Sequence, residues 1–222
     1  MMLESRIIKG SAIWVGLWIL GFSLNALLLQ LGIPLHGSYF SSFMLGLRDL
    51  LILGISLFVW KRWFPQRAQE QSWRPSGLDF VMIMIGLLVT ALYYQRLFII
   101  GEQSSDSVVI LEQLQFRTPP RILTLIAFQQ IMTTFFLLDL YRERWGDRKG
   151  LLVTAAVFSL SHVFGVLINN PLSFALQVTV GSFMGLMIWG TSRLRWRSPW
   201  TPFVLHYLFY LSALLGKAWS GA

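Results

Sequence analysis

The chain has no cysteine and little charge. Without thiols, disulfide frameworks and thiolate metal sites are excluded, and composition says nothing of redox compartment. Charged residues make up 13% of the 222 positions, while hydrophobic residues reach 55% and mean hydropathy is +0.61. Soluble domains carry about 25% charged residues, so a water-soluble fold of this size has no use for so much apolar surface. Acids are the scarcer sign, 10 Asp+Glu against 18 Lys+Arg, for a net charge of +8. In a soluble protein that excess would suggest nucleic acid; here its distribution along the chain points elsewhere. Repeats and low-complexity tracts are absent too, so a single domain over residues 1–222 is expected.

What is present is a series of long apolar runs: Ser11 to Ile33, Tyr39 to Trp60, Gly77 to Tyr94, Pro120 to Leu140, Leu151 to Ile168, Pro171 to Thr191 and Pro202 to Leu215. Each approaches the ~20 residues needed to cross ~30 Å of hydrocarbon. The expected fold is all-α, a polytopic integral membrane bundle of about seven transmembrane helices. The first run follows Arg6 and Lys9 but is too long for a signal peptide and lacks a small-residue cleavage site, so it reads as a retained helix. Basic residues alternate between loops. Arg6 and Lys9, then Lys61, Arg62, Arg67 and Arg74, then Arg142, Arg144, Arg148 and Lys149, then Arg193, Arg195 and Arg197 fall on one side. The segments from Gly32 to Ser38 and from Asn169 to Pro171 have no Lys or Arg. The positive-inside rule then puts the N-terminus in the cytoplasm and the C-terminus across a bacterial cytoplasmic or an internal membrane. The lipid bilayer accounts for the charge, and no nucleic-acid partner is expected. Trp60, Trp63, Trp145, Trp189, Trp196 and Trp200 fall at the basic ends, where an interfacial belt is expected. In the one long outer loop, Ser104, Ser105 and Asp106 are placed to cap a short surface helix from Val108 to Phe116.

Polar residues inside spans face other helices or a wet cavity, so function is sought there. They are Arg48 and Asp49, Gln129, Gln130, Thr133 and Thr134, His162, Gln177 and His206. On an α-helix Gln130 and Thr134 share a face. Thr201 and Pro202 look like the N-cap and first turn of the last helix, which sets His206 near the basic side with Tyr210 on its face. Three helices are thus placed to bring polar groups to one cavity. Arg48 and Asp49 are adjacent and point to different faces, so separate partners are expected, and Asp49 is the buried carboxylate available as a replacement base. Gly181 and Gly185 read as a close-packing pair. The histidines and glutamines also have a plain structural reading, as hydrogen bonds between helices.

Three short segments in order, Gln129-Gln130-Ile131-Met132-Thr133-Thr134, Phe158-Ser159-Leu160-Ser161-His162 and His206-Tyr207-Leu208-Phe209-Tyr210, resemble the motifs of the CPBP family. These are membrane proteins related to the type II CAAX prenyl endopeptidase and to bacteriocin-immunity proteins. The resemblance covers about residues 120 to 215. It implies a CPBP-like core and, as site positions, Gln129, Gln130, Thr134, Phe158, His162, His206 and Tyr210. In the family pattern the first motif reads EExxxR, its glutamate activating water, and the third ends in asparagine. Here amides replace both glutamates, Thr134 stands for the arginine and Tyr210 for the asparagine. An amide takes no proton near neutral pH, so a silent protease serving as scaffold or assembly subunit for other integral membrane proteins is expected. No cofactor is expected; a metal at His162 and His206 enters only if the chain is an active peptidase, since hydrolytic zinc usually has three protein ligands. The alternatives are an active endopeptidase of the CAAX-processing type using a shifted base, and a lipid- or pigment-binding subunit whose histidines hold a macrocycle.

Overall fold

A computed structural model of the chain describes residues 2–33, 39–102, 118–167 and 172–220. The described residues form helices and no strand: α1 (Met2–Gln30), α2 (Tyr39–Trp63), a short α3 (Pro65–Glu70), α4 (Gly77–Glu102), α5 (Thr118–Gln129), a π-helical segment (Gln130–Leu137), α6 (Leu138–Leu167), α7 (Leu172–Trp196) and α8 (Trp200–Ser220). The surface helix expected from Val108 to Phe116 lies outside the described residues.

Four described stretches are long and apolar enough to cross a membrane: Glu4–Gln30, Phe43–Trp63, Gly77–Arg96 and the 42-residue Ile122–Val163. The last is two arms. Gly146 adopts φ 72° and ψ 177°, outside the helical region, and the chain turns back there. Gly150 then lies so close to the incoming arm that a Cβ on it would sit 2.9 Å from the Arg142 nitrogen. Residues eight apart on one helix would be ~12 Å apart at 1.5 Å per residue. The run expected at Pro120 to Leu140 and, as far as Leu167, the one expected at Leu151 to Ile168 are therefore the arms of a tight helical hairpin, and the basic residues between them line its turn.

The outer helices present large apolar side chains outward. Ile19, Phe22, Phe58, Met84, Leu87 and Leu88 are all exposed, a waste of hydrophobic surface in water and the expected finish against lipid. Between them the core gathers Trp14, Trp60, Phe135, Phe136, Leu137, Phe158 and Trp189. A smaller apolar group, Tyr93, Ile122, Ile126, Tyr207 and Leu211, joins α4, α5 and α8.

At the basic end one carboxylate ties two helix starts together. Ser76 and Asp79 form a reciprocal capping box on α4, Ser76 N donating to Asp79 Oδ2 at 2.7 Å and Asp79 N to Ser76 Oγ at 3.3 Å. Asp79 Oδ1 also accepts from Ser198 Oγ at 2.6 Å and from the Thr201 hydroxyl at 2.7 Å. Thr201 is thus not the cap of α8. Ser198 is, its Oγ accepting from Trp200 N at 3.1 Å, because the Thr201 hydroxyl is committed to Asp79.

Arg48 and Asp49 correct another expectation. Arg48 Nε donates to Asp49 Oδ1 at 2.9 Å, and the guanidinium also reaches Asn25 of α1. The long arginine stem folds back over the one-residue offset, so adjacency does not prevent the pair. Asp49 additionally accepts from Thr124 of α5 at 3.3 Å. It works as a tie between α2 and α5, with its oxygens engaged.

Candidate functional site

The site is built where the chain leaves α-helical register. The segment Gln130–Leu137 is π-helical and every one of its residues is buried. Its hydrogen bonds run from i to i+5, so a turn takes more than four residues, and such bulges recur at functional sites. Thr134 keeps its hydroxyl buried without a hydrogen-bond partner, while its carbonyl accepts from Arg193 of α7 at 2.6 Å.

Gln130 meets α8. Its Nε2 donates to His206 Nδ1 at 2.9 Å and lies 3.3 Å from the Pro202 carbonyl. With Nδ1 accepting, the His206 proton resides on Nε2, the opposite tautomer from the one a carboxylate at position 130 would select. The ring stacks on Trp189 of α7, with centroids 4.0 Å apart and planes inclined by 11°. That stack depends on Gly185. A Cβ there would sit 2.3 Å from the Trp189 ring, so the glycine read as a packing residue makes room for an indole of its own helix. Gly181, by contrast, would place a Cβ 3.4 Å from Phe209 of α8, the ordinary close approach of two helices.

Gln129 and Tyr210 form the next contact, the amide lying within hydrogen-bonding reach of the phenol. Tyr210 is also 5.3 Å from His206 between ring centroids. His162 sits on the outgoing arm of the hairpin, where its Nδ1 bonds the Phe158 carbonyl at 2.9 Å, one turn back. Phe158 holds the other side of the ring, with centroids 4.5 Å apart, and Trp18 of α1 meets its edge at 6.3 Å. His162 and His206 are near enough to interact electrostatically. The structure thus brings Gln129, Gln130, His206 and Tyr210 into one contact group with His162 beside it, while Phe158 orients His162 and the Thr134 hydroxyl has no partner among the described residues.

The group is incompletely satisfied. Gln129 Oε1, Gln130 Oε1, Thr134 Oγ1 and Trp18 Nε1 are all buried without a partner among the described residues. Unmatched polar atoms of this kind each cost about 1–3 kcal/mol, so the group is not a finished core. It does not suit a hydrolytic metal. Such zinc usually takes three protein ligands, and the described residues contain no cluster of three His, Cys, Asp or Glu that could hold an ion.

Arg193, expected among the loop charges that set topology, is 6% exposed and reaches inward. Its Nη1 and Nη2 bond the two oxygens of Asp139 at 3.0 and 2.9 Å, and its guanidinium lies 4.1 Å over the Phe135 ring. Where the first motif carries Thr134 in place of arginine, an arginine from another helix arrives at that residue's backbone. Asp139 also receives Trp60 Nε1 at 3.0 Å. Trp60 and Trp189, expected in an interfacial belt, are 0% and 2% exposed and serve as buried donor and stacking platform. The signal that could have found Arg193 is Asp139 itself, an acid inside an apolar span that had to have a cation within reach.

No curated protein and no solved structure matches the chain. Residues 112–212, a little under half of the chain, match the family model described as Type II CAAX prenyl endopeptidase Rce1-like; this stretch carries all three motif segments and the hairpin between the first two, and it is over this stretch that the chain is similar to that family.

Proposed function

We propose that the chain is a hydrolytically silent member of the family, and that its bundle acts as a scaffold or assembly subunit for other integral membrane proteins. The observation that carries this reading is the Gln130 amide donating to His206 Nδ1 at 2.9 Å. A water-activating base accepts a proton; here the group beside the imidazole gives a hydrogen bond to it, and cannot change roles near neutral pH. The buried acids are engaged elsewhere: Asp49 by Arg48 and Thr124, Asp79 by the starts of α4 and α8, Asp139 by arginines. A family bundle kept intact around a site without its acid–base pair supports selection for what the bundle holds.

The test has two arms. Purified protein in lipid is given a peptide of the CAAX-processing type, and no cleavage above the no-enzyme rate is expected. Cleavage that His206→Ala abolishes would establish an active peptidase instead. Purification of the full chain in mild detergent is expected to bring down a stoichiometric integral membrane protein, and recovery of the chain alone would remove the scaffold role.

A further inference from the structure

A second cavity, of about 220 Å³, opens at the basic end of the bundle, lined by Arg67 of α3, Asp139 and Arg142 of α6, Arg193 of α7, and Arg197 just beyond it, with Glu70 among the lining residues. Three guanidinium groups converge on one carboxylate: Asp139 is 2.9 Å from Arg67, 2.9 Å from Arg193 and 3.3 Å from Arg142. Glu70 and Asp147 also line the cavity, so these three guanidinium groups face three carboxylates, Asp147 pairing with Arg142 at 2.8 Å while 60% exposed. Arg197 adds a fourth cation whose side chain has no hydrogen bond or ion pair among the described residues.

The backbone at Arg197 is the second observation. It adopts φ 51°, and no other described residue except glycine has positive φ. The position directly follows α7, where glycine is the usual occupant because it enters the left-handed region without strain. The conformation is held from both sides, by the Arg197 N bond to the Arg193 carbonyl at 2.8 Å and by Gln71 Nε2 donating to the Arg197 carbonyl at 2.9 Å. A strained conformer is kept where a side chain is wanted, and this one sets an exposed arginine at the edge of the cavity, where it supplies the lining's positive excess.

We infer that this arginine cavity binds a phosphate group, either the headgroup of an anionic phospholipid or a soluble phosphate compound. Guanidinium forks match the planar faces of phosphate oxygens and leave Asp139 in place as the anchor that spaces them. The cavity is smaller than the ~300 Å³ at which drug-sized pockets begin, which suits one headgroup. The inference is independent of whether the imidazole site hydrolyses anything.

The full chain in uncharged detergent is melted with inorganic phosphate and with sodium chloride at matched ionic strength; in parallel it is placed in phosphatidylcholine nanodiscs with and without phosphatidic acid. A melting temperature raised by phosphate over chloride identifies a soluble phosphate ligand, and one raised only by phosphatidic acid identifies the lipid. Arg197→Gly separates binding from folding. Glycine relieves the backbone, so the unliganded melting temperature is expected to hold or rise while the phosphate-dependent shift falls by at least half. Arg67→Gln should reduce the shift as well, and Arg148→Gln, outside the cavity, should retain it. No shift with either ligand, or an equal loss in Arg148→Gln, would overturn the inference.

Discussion

Two buried polar clusters lie on one stretch of chain, ten residues apart from Gln129 to Asp139, and they are finished to different degrees. Both oxygens of Asp139 are occupied, by Trp60 and by arginines from three parts of the fold. Around Gln130 and His206, three side-chain oxygens have no partner among the described residues. Evolution satisfies a buried polar group completely when its task is to hold elements together, since each unmet bond is a stability loss. The Asp139 carboxylate therefore ties the hairpin, α2, α3 and α7 together, leaving Arg193 Nε as the one atom of its cluster buried without a partner among the described residues, whereas the amide cluster leaves three.

That contrast breaks first at Asp139. Asp139→Asn removes the charge that compensates a buried Arg193, and breaking one partner of a buried pair is expected to destabilise by about 3–5 kcal/mol. Denaturant unfolding in detergent measures it. A change under about 1 kcal/mol would mean that the arginines rearrange toward solvent and that the cluster anchors nothing. Next in size is Gly185→Ala. A methyl 2.3 Å from the Trp189 ring forces the indole off His206, an overpacking expected to cost about 1–3 kcal/mol. Tryptophan fluorescence should shift together with the melting temperature; loss of stability with unchanged emission would place the strain elsewhere.

Much of the fold is legible in the sequence because a bilayer permits few solutions. Apolar runs of sufficient length must be helices, and Arg142 to Lys149 had to mark a turn between two of them. What apolarity does not distinguish is lipid from protein as the neighbour. The stretch Ile122–Val163 is 78% buried in its most apolar window, against 17% for Glu4–Gln30 and 17% for Gly77–Arg96; hydropathy treats these alike. The site was half legible. Gln130, His206 and Tyr210 are found from their spacing, but the π register of Gln130–Leu137 leaves no mark in residue types. Arg193 and Trp60 were misplaced for one physical reason: long amphipathic side chains at a helix end serve an interface or reach back into a core, and only the presence of Asp139 decides between them.

The smallest expected effect tests the unfinished cluster directly. Thr134 Oγ1 is buried and unpartnered, and the residue is 1% exposed. Valine has the same branched shape without the hydroxyl, so Thr134→Val removes an unmet polar atom and fills the same space. If the cavity is dry, the variant should be as stable as the parent or more stable by up to about 1 kcal/mol, because desolvation of the hydroxyl no longer opposes folding. If ordered water bridges Thr134 to the Gln130 oxygen, that bridge is lost and the protein should weaken by about 1 kcal/mol or more. The sign of the change therefore decides whether the site beside His206 still holds water. A dry site agrees with an amide pocket turned to packing; a wet one keeps the nucleophile of a hydrolase within reach of an imidazole and removes the simplest reason for silence.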